Sequence, residues 1–219
     1  MNSGARPRAL LLDLGNVTVR LRFEGFFEKL GAACAPARSP RELQDMLKDP
    51  GYGHAAYERG RLEGPAWHAL LRERLGLGLD YAAWLDLWND VFDPNPAMES
   101  LIQGLAGQVR IWGLSNTNAE HLRHLKTAYP VLGTFDGITA SCEVGAAKPE
   151  PAIYAAALSS LGVPAAEVLY LDDVEDYVRA AQALGIRAFH YRFNDAALWR
   201  TLASLGFTLP PLAPRSSGL

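Results

Sequence analysis

The side chains that could do chemistry all occur at the same kind of position in the sequence. Each stands where a short apolar run ends or just before a predicted helix: Asp13, Ser115, Asn116, Lys148, Asp172 and Asp173. Three carboxylates are costly to hold together without a cation, and carboxylate oxygens are ligands that Mg²⁺ accepts. A hydroxyl, an amide and a lysine suit a phosphate, and an aspartate beside them can act as a covalent nucleophile. The set therefore predicts metal-assisted chemistry on a phosphate group.

Strands and helices that alternate along the chain must position these residues. Short apolar runs bounded by turn residues predict strands at residues 9–12, 109–114, 168–171 and 186–191. Helical spacing puts two apolar sets on helix faces between them: Ile153, Ala157 and Leu161, and Val174, Val178 and Ala181. Such alternation predicts an α/β fold with a parallel sheet covered on both faces. Ligands of such sheets bind outside the carboxyl ends of the strands.

A stretch without strand signals separates the first run from the rest. Two amphipathic helices are predicted there, the first by Trp67, Leu70, Leu71 and Leu75, the second by Tyr81, Trp84, Leu85, Trp88 and Phe92. Three of the five tryptophans lie in this stretch, so we expect it to have an apolar interior of its own. The breaker Asp93-Pro94-Asn95-Pro96 closes it. We predict a core formed by residues 1–20 and 96–219, with a helical domain inserted at residues 21–95.

Composition excludes several classes of protein. The 219 residues are 49% apolar and 21% charged, which excludes disorder as the main state. A formal net charge of -3 and the lack of a basic cluster argue against nucleic acid or a membrane as partner. Cys34 and Cys142 are expected to be reduced thiols in a cytoplasmic protein. The ends, residues 1–8 and 210–219, are expected to be loose.

Several short motifs appear in an order typical of one enzyme family. They are Asp13-Leu14-Gly15-Asn16-Val17, Tyr57-Glu58-Arg59-Gly60-Arg61-Leu62, Leu114-Ser115-Asn116-Thr117-Asn118, Lys148-Pro149-Glu150-Pro151-Ala152-Ile153-Tyr154 and Asp172-Asp173. With these motifs the chain resembles the haloacid dehalogenase (HAD) superfamily of hydrolases, with a helical cap inserted after the first motif. The subgroup with Asp-x-Gly-Asn-Val as first motif includes phosphatases similar to α-glucose-1-phosphate phosphatase and the N-terminal domain of soluble epoxide hydrolase. The resemblance implies a Rossmann-like sheet core and a Mg²⁺-dependent phosphatase.

The resemblance also implies a role for each motif residue. Asp13 would be the nucleophile and a Mg²⁺ ligand, and Gly15 would offer its backbone carbonyl to the metal. Asp173 would be the third protein ligand, with Asp172 reaching the metal or one of its waters. Ser115 and Lys148 would hold the phosphoryl oxygens. Asn116 would be an additional donor to them. The implied substrate is a small phosphorylated metabolite, with a sugar phosphate favoured, and the implied assembly is a monomer or homodimer.

Departures from the family pattern bear on catalysis. Most phosphatases of the superfamily carry a second Asp at the position of Gly15, which protonates the leaving oxygen and then activates water. Such general acid–base help is typically worth about 10²–10⁴-fold. Val17 and Thr18 also differ from the common residues, and Tyr177 stands where Asn or Asp is common, with Asp176 one step early. The proton must then come from the substrate, from water or from another residue.

Other polar residues have two interpretations each. Glu58, Arg59 and Arg61 lie in a polar turn that could select substrate and close over the site, or could be a solvated loop. His121 and His124 have metal-ligand spacing, but no cysteine or carboxylate set completes a zinc site. A solvated helix face is the favoured interpretation for both histidines.

Two rival functions stay open from the sequence. A 2-haloacid dehalogenase would use the same aspartate on carbon without a metal, but the Asp172-Asp173 pair suits Mg²⁺. A binding or regulatory protein would keep the site and hydrolyse little, as Gly15 and Tyr177 suggest.

Overall fold

The computed structural model describes residues 5–212. The strands are β1 (Ala9–Leu12), β2 (Arg20–Leu21), β3 (Phe92–Asp93), β4 (Arg110–Ser115), β5 (Gly137–Ala140), β6 (Val168–Asp172) and β7 (Arg187–His190). The helices are α1 (Phe26–Ala32), α2 (Pro40–Lys48), α3 (His54–Glu58), α4 (Gly64–Leu75), α5 (Tyr81–Asn89), α6 (Pro96–Leu105), α7 (Ala119–Ala128), α8 (Ser141–Val144), α9 (Pro151–Leu161), α10 (Glu175–Ala183) and α11 (Asp195–Ser204).

Five strands form one parallel sheet in the order β5-β4-β1-β6-β7. The register pairs Leu12 of β1 with Gly113 of β4 and with Leu171 of β6, so these strands end at the same edge. The predicted α/β fold is confirmed. Edge strand β5 was not predicted, because its mixed sequence, Gly-Ile-Thr-Ala, gives no apolar run.

Alternation along the strands supplies an apolar core on each face of the sheet. Leu10 and Leu12 of β1 pack on one face, in a core with residues of α6, α7 and α11. Ala9 and Leu11 point to the opposite face, against α9. Since both faces are covered, all four residues of the central strand β1 are apolar, as expected for a parallel strand.

The helical insertion, residues 22–91, leaves the core after β2 and returns at β3. These two strands pair antiparallel, with Leu21 opposite Phe92. The insertion has its own apolar core, which includes Trp67, Trp84 and Trp88. Phe92 was assigned to the second helix by its spacing, and that assignment is wrong. Helix α5 ends at Asn89 and Phe92 lies on β3, because pairing with β2 replaces the last helical turn.

Two helices of the insertion confirm their predicted faces. Trp67, Leu71 and Leu75 of α4 are buried, as are Trp84 and Trp88 of α5. Asp80 starts α5 by accepting a hydrogen bond from the backbone N–H of Ala83, as expected of an aspartate N-cap. The rings of Trp67 and Trp84 meet edge to face, 5.5 Å apart, a geometry favourable for aromatic pairs. The division at residues 20/21 and 95/96 stays a prediction.

Some local predictions are wrong. Val174 precedes α10 as its N-cap and is exposed, whereas Val178 and Ala181 are buried as expected. The ends are tied down at residues 6–8 and 210. Arg6 Nη2 donates to Gln108 O, and Trp199 Nε1 donates to Pro210 O. Residues 1–4 and 213–219 lie outside the described residues.

Cys34 and Cys142 are both free thiols, as expected. Within residues 5–212, no helix combines the length and the apolar composition needed to cross a bilayer.

Candidate active site

Three of the predicted site residues lie side by side at the carboxyl edge of the sheet. Asp13 directly follows β1, and its backbone N–H donates to Leu171 O at 3.0 Å. Ser115 and Asp172 are the last residues of β4 and β6, the strands on either side of β1. All three are buried. The structure therefore brings these side chains together as the sequence predicted.

Lys148 reaches this cluster from the loop before α9. Its Nζ lies 2.8 Å from Asp13 Oδ1 and 2.8 Å from Asp172 Oδ2. A third hydrogen bond goes to Leu114 O at 3.1 Å. The ammonium group thus donates all three of its protons inside the protein, as a buried charge requires.

Asn116 holds the backbone of Lys148 in place. Asn116 Oδ1 accepts from the Lys148 N–H at 2.7 Å, and Nδ2 donates to the Lys148 carbonyl at 3.0 Å. The second Nδ2 proton faces Tyr177 Oη at 3.4 Å. The side chain therefore supports Lys148, which differs from the phosphate donor that the resemblance implies. Both ends of the amide are occupied by these bonds.

Tyr177 covers the lysine. The Lys148 Nζ lies 5.1 Å from the centre of the Tyr177 ring, within the range of a cation–π contact. Asp176 is exposed and lies near Arg179, so it does not replace the missing Asn or Asp. Tyr177 thus braces the lysine by its ring instead of by a carboxylate.

The charges of the cluster perturb one another. Burial raises the pKa of Asp13 to about 7, although the Lys148 charge opposes the rise and the Asp172 charge adds to it. Burial also raises the pKa of Asp173, while a hydrogen bond from Asn16 opposes the rise. Burial acts to lower the pKa of Lys148, but the two carboxylates raise it above its ordinary value. Such perturbed, interacting groups in one place are typical of functional sites.

Asp172 is the most buried member of the cluster. Its Oδ2 accepts from Lys148 Nζ and from the Tyr170 hydroxyl, and its Oδ1 accepts from the Val174 N–H at 2.8 Å. Sequence reasoning missed Tyr170, although residues two apart on a strand face the same side. Asp172 therefore anchors Lys148 and Tyr170 at the centre of the site.

Three carboxylates come close enough together to hold a metal ion. One oxygen from each of Asp13, Asp172 and Asp173 lies within 4.8 Å of the others. Asp13 Oδ1 accepts from the Leu14 N–H and Lys148, and no described residue forms a hydrogen bond with Oδ2. Asn16 Nδ2 donates to Asp173 Oδ2 at 3.0 Å and orients that carboxylate. An all-oxygen donor set of this kind fits Mg²⁺.

The loop after β1 explains two departures from the family pattern. A Cβ at Gly15 would lie 3.0 Å from Leu21 Cδ1, so Leu21 occupies the space beside this position. The buried Thr18 hydroxyl donates to Asp13 O at 2.7 Å and so fixes the turn that carries the aspartate. The role predicted for the Gly15 carbonyl stays a prediction.

A cavity of about 450 Å³, here called the central cavity, opens from this edge of the sheet. Gly15, Ser115 and Asn116 line it from the core, and Phe27 and Trp88 line it from the helical insertion. Its volume lies within the range of small-molecule sites, about 300–1,000 Å³. The cavity therefore adjoins the residues predicted to bind phosphate.

The side chains of the polar turn at residues 58–61 lie in two different places. Glu58 lines the central cavity. Arg59 forms an ion pair with Glu150 of the core and lowers the pKa of that carboxyl, with a smaller effect from exposed Arg61. The structure thus brings Glu58 to the site, whereas both arginines lie beside Glu150.

Two further contacts tie this turn to the core. The Ser141 hydroxyl donates to Glu58 O at 2.6 Å. A Cβ at Gly60 would lie 2.1 Å from Cys142 O, so only glycine allows these backbones to approach so closely. The turn is therefore docked on α8, and the solvated-loop interpretation does not describe it.

His121 belongs to the packing of the insertion against the core. Its ring stacks on Trp88 at 4.6 Å, and Nε2 donates to Trp88 O at 2.9 Å. Asn118 Nδ2 faces Nδ1 at 3.1 Å, which fits a neutral ring protonated at Nε2. Burial lowers the pKa of His121 to about 3. The solvated-face interpretation is therefore wrong for His121.

Known proteins place the chain in a family. A family model of haloacid dehalogenase-like hydrolases matches residues 8–185. Over 136 residues the chain is 32% identical to sesquiterpene phosphatase astK of Aspergillus oryzae, covering 61% of this chain and 69% of that protein. Over 196 residues it is 29% identical to drimenol cyclase drtB of Aspergillus calidoustus, covering 86% of this chain and only 34% of that protein.

A solved structure shares the fold. It is an HAD family enzyme from Bacteroides thetaiotaomicron in complex with magnesium and inorganic phosphate. The TM-score is 0.72 at 24% identity, over 98% of each chain.

Proposed function

The chain belongs to the haloacid dehalogenase-like hydrolases, and from this premise we propose that it is a magnesium-dependent phosphatase acting through an aspartyl phosphate. The observation that carries the proposal is the contact of buried Lys148 with Asp13 and Asp172, beside the third carboxylate of Asp173. A lysine held this way aligns Asp13 and offsets the negative charge of an incoming phosphate.

The proposed reaction has two steps. Asp13 Oδ2 attacks phosphorus, the bond from phosphorus to the ester oxygen breaks, and the leaving alkoxide takes a proton to become an alcohol. Water then attacks the phosphorus of the aspartyl phosphate and loses a proton, and the bond to Asp13 breaks to release inorganic phosphate. Because Gly15 has no side chain, we propose that solvent water carries both protons.

The chain's own residues divide the remaining work. Asp13 and Asp173 would hold Mg²⁺ with the Gly15 carbonyl, and Asp172 would reach the ion or one of its waters. The bound ion supplies positive charge that stabilises the phosphoryl oxygens. Ser115 would donate to those oxygens, Lys148 would attract them through its charge while its protons stay on Asp13, Asp172 and Leu114, and Asn116 would keep Lys148 in position.

Several features of the proposal come from the sequence alone. We place the protein in the cytoplasm as a monomer or homodimer, acting on a small-molecule phosphate ester, with neither nucleic acid nor membrane as partner. The helical insertion would act as the cap. The sequence favours a sugar phosphate as substrate. The name of one relative, sesquiterpene phosphatase, adds esters of apolar alcohols as candidates.

Phosphate release from a panel of phosphorylated metabolites and an aryl phosphate tests the proposal. We expect release with Mg²⁺, no release with EDTA, and at least about a thousandfold loss in Asp13→Asn. Asp176→Asn is the matched control, since this nearby side chain is 80% exposed and lies outside the cluster. Full activity of Asp13→Asn would contradict the proposal.

The same preparation tests the two rival functions. Halide release from a 2-haloacid without added metal would favour the dehalogenase, which the carboxylate cluster disfavours. Tight binding of inorganic phosphate with no turnover of any ester would favour a regulatory protein, for which Gly15 and the neighbouring Leu21 are the specific observation.

A further inference from the structure

We propose that the alcohol part of the substrate is an apolar hydrocarbon chain that binds in the central cavity. This inference rests on the proposed phosphatase function and names the substrate class for the same site. It replaces the sugar phosphate as the preferred substrate.

The wall of the central cavity is built mainly from aromatic and aliphatic side chains. Its apolar members come from both sides of the cleft and include Leu21, Phe26, Phe27, Leu47, Trp88 and Leu125. The rings of Phe26 and Phe27 meet edge to face at 4.9 Å, and Phe26 also lies 5.6 Å from Trp88. A hydrocarbon placed between these side chains would leave water, and it carries no polar group of its own that would need a partner.

Three polar side chains that line the cavity, those of Asn116, Asn118 and His121, are already paired with protein atoms. Asn118 Oδ1 accepts from the Tyr57 hydroxyl and from the His121 N–H. His121 Nε2 donates to Trp88 O, and the Asn116 amide is bound to the Lys148 backbone. A sugar in this space would bury hydroxyl groups beside groups whose hydrogen bonds are already made. Unpaired buried hydroxyls oppose binding.

Four further polar members of the wall come from the helical insertion. Gln44 and Lys48 are exposed on α2. His54 and Glu58 are partly buried and lie 4.0 Å from each other, and the His54 ring packs 5.4 Å from Trp67. The exposed Gln44 and Lys48 suit a wet cavity mouth, while the phosphate would sit beside Ser115.

The size of the cavity sets the length of the chain. At about 30 Å³ for each water molecule, a volume of about 450 Å³ matches about fifteen waters, or a chain of roughly ten to fifteen carbon atoms. Each buried methylene strengthens binding by up to about fourfold. Affinity should therefore rise steadily with chain length until the cavity is filled.

A homologous series of substrates tests the inference. We would measure kcat/KM with Mg²⁺ for ethyl, butyl, hexyl, octyl and decyl phosphate, with glucose 1-phosphate and glucose 6-phosphate alongside. We expect kcat/KM to rise at least tenfold from ethyl to octyl phosphate, mainly through KM, and to exceed both sugar phosphates. A flat series, or faster turnover of a glucose phosphate, would overturn the inference and leave the phosphatase function intact.

Variants of cavity residues test whether the dependence of kcat/KM on alkyl chain length arises in the central cavity. Phe27→Ala and Leu47→Asn should each lower the octyl-to-ethyl ratio of kcat/KM severalfold. Phe193→Ala is the matched control, because this ring is 54% exposed and lies outside the central cavity. Thermal unfolding would verify that each variant is folded. Unchanged ratios in both folded cavity variants would overturn the inference.

Binding separates failure of this inference from failure of the proposed function. If no ester releases phosphate, the phosphatase function fails, and calorimetric titration with decyl and ethyl phosphate still tests the cavity. Tighter binding of decyl phosphate that weakens in Phe27→Ala supports an apolar site. Equal affinities for the two esters would overturn it.

Discussion

Removing the charge of Asp13 should stabilise the metal-free protein while abolishing its activity. The Asp13 carboxylate is buried, and burial raises its pKa from 3.8 to about 7 in spite of Lys148. In Asp13→Asn, an amide oxygen can still accept from Lys148 Nζ and the Leu14 N–H, the bonds that Oδ1 accepts now. Lys148 also keeps its bond to Asp172. The variant therefore loses a costly buried charge and keeps the local hydrogen bonds.

The pKa values give the size and the sign of the effect. Because the pKa of Asp13 is higher in the folded than in the unfolded chain, the folded wild type binds more protons between about pH 4 and pH 7. The contribution of Asp13 to the free energy of unfolding therefore falls as pH rises through that window, by up to about 4 kcal/mol in all. Asparagine does not ionise, so the variant escapes this loss. We expect Asp13→Asn to be more stable by about 1–4 kcal/mol at pH 8 and nearly equal to wild type near pH 4.

Urea unfolding at pH 4 to pH 8 in EDTA measures the difference directly. Asp176→Asn is the control, and we expect it to stay within about 0.5 kcal/mol of wild type at every pH. Adding Mg²⁺ should raise the midpoint of the wild type and not that of Asp13→Asn. A variant that is less stable than wild type at pH 8 would refute the reasoning, since Asp13 would then be a structural partner of Lys148.

Three further predictions concern neighbouring residues. Tyr170→Phe removes the hydroxyl bound to Asp172, so it should lower the free energy of unfolding in urea by about 1.5–3 kcal/mol and also lower kcat. Tyr154→Phe is its control: the Tyr154 hydroxyl donates to a backbone carbonyl, so its loss should cost about 1 kcal/mol and leave kcat unchanged. Equal effects of the two variants would contradict this prediction. Gly15→Asp, combined with a smaller residue at its neighbour Leu21, should raise kcat at least about tenfold, and an unchanged kcat would show that proton transfer is not limiting. Because burial lowers the pKa of His121 to about 3, wild type should lose about 2 kcal/mol of stability relative to His121→Gln between pH 6.5 and pH 5, against the opposite contribution of Asp13; parallel curves would contradict it.

The sequence predicted those parts of the fold and site that depend on local pattern. The run at residues 9–12 is a continuous apolar segment, and the strand there begins and ends where predicted. Asp13 and Asp172 could be placed because each adjoins a strand, and parallel strands end at one edge. The pattern also placed Lys148 at this edge, but its direct contacts with Asp13 and Asp172 were not predicted.

What the sequence did not predict depends on partners far apart in the chain. Arg59 looked available for an anionic substrate, but it pairs with Glu150, 91 residues away. Asn116 looked like a phosphate donor, but the backbone of residue 148 takes both ends of its amide. Strand β5 has no periodic signal, because pairing with β4 rather than its own composition makes it a strand. Such choices are made by tertiary contacts, which local propensity does not encode.

The position of the helical insertion between β1 and the rest of the sheet also sets an order of folding. Strand β1 is central, yet its neighbours β4 and β6 begin at Arg110 and Val168, about 100 and 155 residues later in synthesis. At a translation rate of about 5–20 residues per second, β4, the first pairing partner of β1, is synthesised on the order of 5–20 s after β1. The insertion contains mainly local helical contacts, which form fast, so we expect it to acquire structure before the sheet closes. Pulse-labelled hydrogen exchange during refolding would show protection of α4 before β1 if this order holds, and simultaneous protection if it does not.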